Sequence, residues 1–138
     1  MEIGAFPYII RKGKLMVMLI TNCAGNSWIL PKGQPEQHLS ESQVARLEAY
    51  EEAGVTGTLM VSLGYKEFQR KCGTCFRVYP LAIHKVLTKW PEKKFRKRQL
   101  VSIKEALSLV TRKEHLHAIE YFSKSQNYKK LSKEKFNR

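Results

Sequence analysis

The sequence has no aspartate, only three cysteines, and no apolar run longer than the six residues 15–20. A membrane-spanning helix needs about 20 consecutive apolar residues, so none is expected and no membrane partner is implied. An odd cysteine count argues against a disulfide-stapled secreted scaffold. The chain does not open on a basic segment, an apolar stretch and a small-residue cleavage site, so no leader is expected. Together these absences point to a reducing cytoplasm. With aspartate missing, all 12 acidic residues are glutamates, and any carboxylate chemistry falls to them. No internal repeat is present, which sets aside solenoid architectures.

What is present is positive charge. Lys and Arg total 25 in 138 residues, for a formal net charge of +13. Such a field favours polyanions, whether nucleic acid, polyphosphate or an acidic membrane surface, without choosing among them. The length is that of one domain, and the aromatic and β-branched content is too high for a disordered chain. Against this basic background, Glu41, Glu48, Glu51 and Glu52 fall within one twelve-residue window.

Residues 4–11 and 15–21 are β-prone and flank the turn signal Lys12-Gly13, so they read as a hairpin. Residues 28–30 form a short strand stopped by Pro31, and 31–38 read as a loop. Ser40 opens a helix, with Gln43 completing a capping box and Gly54 as the stop after Ala53. Residues 55–71 are strand-like with a break near Gly64. Residues 72–74 are a turn, and 75–86 a long strand in which Pro80 implies an edge or a bulge. A basic connector over 85–98 leads to helices over 102–110 and about 111–125. This order predicts an α/β domain with a mixed β-sheet over residues 1–125, followed by a basic tail, 126–138, that frays.

Glu48, Glu51 and Glu52 share one face of the predicted helix, where like charges at this spacing repel. They also occupy its last turns, where the helix macrodipole is negative. A sequence that works against helix stability twice at one place suggests function. A hard divalent cation, Mg2+ or Mn2+, is the simplest counter-charge, and such ions are bound together with substrate phosphates.

Residues 33–55 resemble the Nudix box, G-x5-E-x7-R-E-U-x-E-E-x-G-U with U aliphatic. Gly33, Glu48, Glu51, Glu52, Gly54 and Val55 match, Ala49 stands at an aliphatic position, and Trp28-Ile-Leu-Pro-Lys-Gly33 is similar to the family's lead-in. Two positions depart: the first box Glu is Leu39 and the box Arg is Leu47. In the family that pair helps to hold and orient the catalytic helix. The resemblance implies a Nudix-type α/β/α sandwich. It implies that Glu48, Glu52 and the carbonyl of Gly33 hold Mg2+ or Mn2+, with Glu51 as the general base for water. The reaction implied is hydrolysis of a diphosphate linkage.

Weaker similarities bear on the substrate. Lys89-Trp90, Phe95-Arg96-Lys97-Arg98 and residues 102–106 are similar to diphosphoinositol polyphosphate phosphohydrolases, although Gln99 and Leu100 replace that group's aromatic residues. By this match Arg96, Lys97 and Arg98 are candidate phosphate contacts, with Lys32 beside them. Pro31-Lys32-Gly33 is more similar to diadenosine polyphosphate hydrolases. Both point to a small polyphosphate. RNA is an alternative partner. Leu39 and Leu47 motivate a different class altogether, a Nudix-fold module that binds polyphosphate or RNA without efficient hydrolysis.

Cys72-Gly-Thr-Cys75 lies between strand candidates and lacks further zinc ligands, so it reads as a turn carrying two incidental thiols. His115 and His117, two apart on a helix, do not face each other and make poor metal partners. Trp28, Tyr65, Phe68 and Tyr79 read as core.

Overall fold

In the computed structural model, which describes residues 1–60 and 64–124, Lys12 and Gly13 have φ of 51° and 76°. They close the hairpin between β1 (Glu2–Arg11) and β2 (Lys14–Thr21). Positive φ at both turn residues gives the twist that matches the flanking strands. The remaining elements are β3 (Trp28–Ile29), β4 (Lys32–Gly33), α1 (Glu41–Ala53), β5 (Val55–Leu59), β6 (Lys66–Gln69), β7 (Cys75–Val86), β8 (Arg98–Ser102), α2 (Ile103–Leu109) and α3 (Lys113–Ser123). The strands form one mixed sheet of order β3-β2-β1-β7-β5, with β4 added to β1, β6 to β7 and β8 to β2. The β1–β7 pair is parallel and the other ladders are antiparallel.

Alternation along β1 builds both layers. Ile3 and Ala5 pack with Val44, Ala45, Ala49 and Ala53 of α1. Phe6 and Tyr8 pack on the opposite face with Ala106 of α2 and Ala118, Ile119 and Phe122 of α3. The result is an α/β/α sandwich. Both hydrogen bonds of the expected capping box are present, from the Gln43 amide to Ser40 Oγ (3.2 Å) and from the Ser40 amide to Gln43 Oε1 (2.8 Å). Ala45, Ala49 and Ala53, fully buried at four-residue spacing, let α1 approach the sheet closely. Glu52 lies on that same buried stripe and is only 4% exposed. Gly54 ends α1 at φ 65°, a conformation that favours glycine.

Four expectations need correction. Lys32 and Gly33, read as loop, pair with Gly4 and Ile3 as β4. Residues 98–102, from the end of the expected connector to the start of the expected helix, form β8 along β2, because Leu100 and Val101 alternate between the two cores. Pro80 lies inside a central strand with no bulge at it. Its carbonyl accepts the Met60 amide (2.9 Å), so its nitrogen faces the junction where β7 changes partner from β5 to β6. The missing N–H therefore costs no bond on the β1 side. The bulge sits instead at Thr56/Gly57. Finally, Tyr65, read as core, is 47% exposed. The frayed tail expected over 126–138 lies outside the described residues. Among the described residues no helix is long and apolar enough to cross a membrane.

Candidate active site

The carboxyl-terminal half of α1 faces the Lys32-Gly33 strand. Glu52 Oε1 accepts the Lys32 amide at 3.1 Å, and its Oε2 lies 3.5 Å from Arg96 Nη2. Glu48, one turn earlier, hydrogen-bonds the Glu52 carboxyl. Gly33 lies against Glu48: a Cβ built on it would fall 2.5 Å from both Cδ and Oε1 of Glu48. Only glycine lets the β4 backbone come this near the carboxylate.

Electrostatics make the pair unstable as two free anions. Burial, and then the bond to Glu48, hold the Glu52 carboxyl well above the ordinary carboxylate range, while Arg96 and the Lys32 amide oppose the shift. Burial also raises Glu48, with Glu51 adding repulsion. Two adjacent carboxyls that resist joint ionisation are relieved by a proton or by a cation. The pair suits a hard divalent ion: two carboxyls against the glycine of β4, in a cradle that a side chain at residue 33 would fill. Among the described residues no group of three or more His, Cys, Asp or Glu side chains is placed to hold a metal ion. Glu51 is half-buried, and its carbonyl accepts the Glu92 amide at 3.0 Å.

The expected phosphate contacts divide. Lys32 Nζ is paired with Glu2 (2.7 Å), and burial, then Arg112, lower its pKa. Arg96 reaches into the site, donating to the Thr21 carbonyl (3.0 Å) and to Glu92 (2.8 Å) as well as approaching Glu52. Lys97 is exposed, with its backbone fixed to Thr21. Arg98 is a correction. Its guanidinium donates to the carbonyls of Ala53 (2.9 Å), Gly54 (3.2 Å) and Leu87 and stacks on Trp90, so it closes the end of α1 rather than facing the site.

The sequence reading missed a basic cluster beyond Lys32. Glu2 also binds Arg70, which approaches Glu114, and a cavity of about 490 Å³ opens there, lined by Arg70, Lys71, Arg112 and Lys113 among others. The available signal was two basic dipeptides, Arg70-Lys71 and Arg112-Lys113, at element ends. Leu39 and Leu47 line a separate, mainly apolar groove with Tyr50 and Val55 beside α1. The Cys72–Cys75 segment is a turn with free thiols. His115 is fully buried, and its Nδ1 accepts the Leu30 amide at 3.1 Å.

A mixed sheet between helices, with a glutamate-bearing helix end set against a Lys-Gly strand, is the arrangement of the Nudix class. No family model matches the chain. Individual relatives do. Nudix hydrolase 12, mitochondrial, of Arabidopsis thaliana is 34% identical over 142 residues, 86% of this chain and 70% of that protein. Nudix hydrolase 21, chloroplastic, of the same plant is 36% identical over 127 residues, 87% of this chain and 64% of that protein. Diphosphoinositol polyphosphate phosphohydrolase 2 of Mus musculus is 33% identical over 101 residues, 72% of this chain and 55% of that protein. The chain belongs to the Nudix hydrolase family. It spans between 55% and 70% of the length of these three relatives. Its fold matches a C. elegans Ap4A hydrolase, solved as a binary complex, with a TM-score of 0.73 at 17% identity over 89% of this chain and 96% of that one.

Proposed function

We propose that this chain, as a single domain over residues 1–125, hydrolyses a diphosphate linkage in a small nucleoside or inositol polyphosphate. The observation that carries the reading is buried Glu52 with half-buried Glu48 set against Gly33. Held by Glu48, Glu52 and the Gly33 carbonyl, Mg2+ or Mn2+ would supply Lewis-acid stabilisation of charge on the bridging and leaving oxygens. Glu51 takes a proton from water as its oxygen bonds to phosphorus, and the bridging P–O bond breaks to release the second phosphate product. Arg96 and Lys97 on one side and Lys32 on the other meet the remaining phosphates, with the Arg70/Arg112 cavity wall beyond Lys32. The kinship with a diphosphoinositol polyphosphate phosphohydrolase and the fold shared with an Ap4A hydrolase support this substrate class. Free Cys23, Cys72 and Cys75 support a reducing compartment, and cytoplasm is the simplest; some plant relatives carry chloroplastic or mitochondrial in their names.

The test is product release with Mg2+ and Mn2+ across diadenosine polyphosphates, diphosphoinositol polyphosphates, nucleoside triphosphates, ADP-ribose and capped RNA, with Glu52→Gln alongside. Metal-dependent turnover of a small polyphosphate, abolished in the variant, is expected. Turnover confined to capped RNA would overturn the substrate class. Tight binding with no turnover, which the apolar Leu39 and Leu47 would suit, would replace the enzyme with a binding module.

A further inference from the structure

The metal-binding turn of α1 ends without its own counter-charge. Its last turn holds no basic residue, and Glu48, Glu51 and Glu52 gather where the macrodipole is already negative. In the box, an acid and an arginine would brace the helix, but here those positions are Leu39 and Leu47, facing the apolar groove.

The connector between β7 and β8 closes this end. The Glu51 carbonyl accepts the Glu92 amide (3.0 Å), and the Glu52 carbonyl accepts Trp90 Nε1 (3.2 Å). The Ala53 carbonyl accepts Arg98 Nη1 (2.9 Å), and the Gly54 carbonyl accepts the same nitrogen (3.2 Å) and the Leu87 amide (2.8 Å). Consecutive carbonyls from 51 to 54 are thus all taken by donors of one segment. The Arg98 guanidinium lies 3.7 Å over the Trp90 ring, which fixes its plane. A Cβ on Gly54 would fall 2.5 Å from Arg98 Nη1 and 2.6 Å from the Trp90 ring, so this glycine serves the clamp as well as the turn. The same connector approaches the Glu52 carboxylate through Arg96, itself tied to Glu92.

We propose that Arg98 and Trp90 are positioning residues for the metal-binding turn, setting the height and rotation of Glu48 and Glu52 against Gly33 from outside the box. Neither touches the substrate. Their effect is carried by the carbonyls of Glu52, Ala53 and Gly54. The inference rests on the cation site proposed above.

The experiment compares wild type with Arg98→Lys, which keeps the charge but loses the fork, and Trp90→Phe, which keeps a ring but loses the N–H. Mn2+ affinity, thermal stability, kcat and KM are measured for each. A clamp predicts Mn2+ binding weakened about 10-fold or more, with kcat reduced and KM for the polyphosphate little changed. Lower melting temperatures with unchanged Mn2+ affinity and kcat would reduce the clamp to ordinary stabilisation and overturn the proposal. A raised KM with unchanged Mn2+ affinity would also overturn it, returning Arg98 to substrate contact. If Arg98→Lys fails to fold, Trp90→Phe decides alone. Wild type that binds no Mn2+ would refute the cation site, and the clamp with it; wild type that binds Mn2+ alongside equally avid variants would refute the clamp only.

Discussion

Gly33 and Glu48 approach so closely that a methyl group on Gly33 would lie 2.5 Å from the Glu48 carboxyl carbon. The atoms it would strike are the far end of a flexible side chain, so Gly33→Ala displaces the carboxylate rather than the backbone. We expect the fold to lose less than about 1 kcal/mol, within the range of modest substitutions. Turnover and metal affinity should fall about 10-fold or more, because the ligand itself moves. Parallel thermal melts and metal titrations separate the two effects.

The Glu48–Glu52 carboxyl pair predicts an inversion. Because the Glu52 and Glu48 pKa values are raised in the fold, stability is lost as pH rises from the ordinary carboxylate range towards the raised values, and the loss stays in full above them. Glu52→Gln removes that cost and keeps an oxygen to accept the Lys32 amide. In EDTA at pH 7.5 the variant should therefore be more stable than wild type, by about 1 kcal/mol or more, the equivalent of one pKa unit. Mg2+ should raise the melting temperature of wild type and leave the variant unmoved.

His115 sets an acid limit. Burial, and then Lys32, Arg112 and Arg70, push its pKa down to about 3. Between pH 6.5 and 3 the unfolded chain takes up a proton that the native imidazole refuses, so stability is lost as pH falls through that window. The slope is about 1.4 kcal/mol per pH unit, or about 2 kcal/mol from pH 7 to pH 5. The glutamate pair pulls the other way over this range, so the readout is a difference in slope. Urea denaturation of His115→Gln, whose amide oxygen can still accept the Leu30 N–H, should show the shallower loss.

Arg112 lines the basic cavity beyond Lys32 and sits on no metal ligand. If the cavity wall receives the distal phosphates, Arg112→Gln should raise KM about 10-fold, equivalent to about 1.4 kcal/mol of binding, with kcat and Mn2+ affinity near wild type. A change in kcat without KM would move the substrate elsewhere.

Much of the frame is local chemistry and was legible. Ser40 and Gln43 cap α1, Gly54 ends it, Lys12-Gly13 turns the hairpin, and the spacing of Glu48 and Glu52 sets both carboxyls toward β4. What escaped depends on partners distant in sequence. Pro80 looked like an edge signal because the split between β5 and β6 is invisible from β7 alone. Arg96 and Arg98 look alike in a basic run, yet one reaches Glu52 and the other turns back to the end of α1, because Arg96 lies in the connector while Arg98 opens β8. Arg70 and Arg112 meet only through the packing of α3 beside β6.

The most direct measurement is equilibrium Mn2+ binding, followed by the paramagnetic resonance of the free ion, in wild type, Glu48→Gln and Glu52→Gln. We expect saturable binding in wild type, weakened at least 10-fold in either variant without loss of the fold. Equal binding by all three proteins would contradict the cation site and the hydrolytic reading that depends on it.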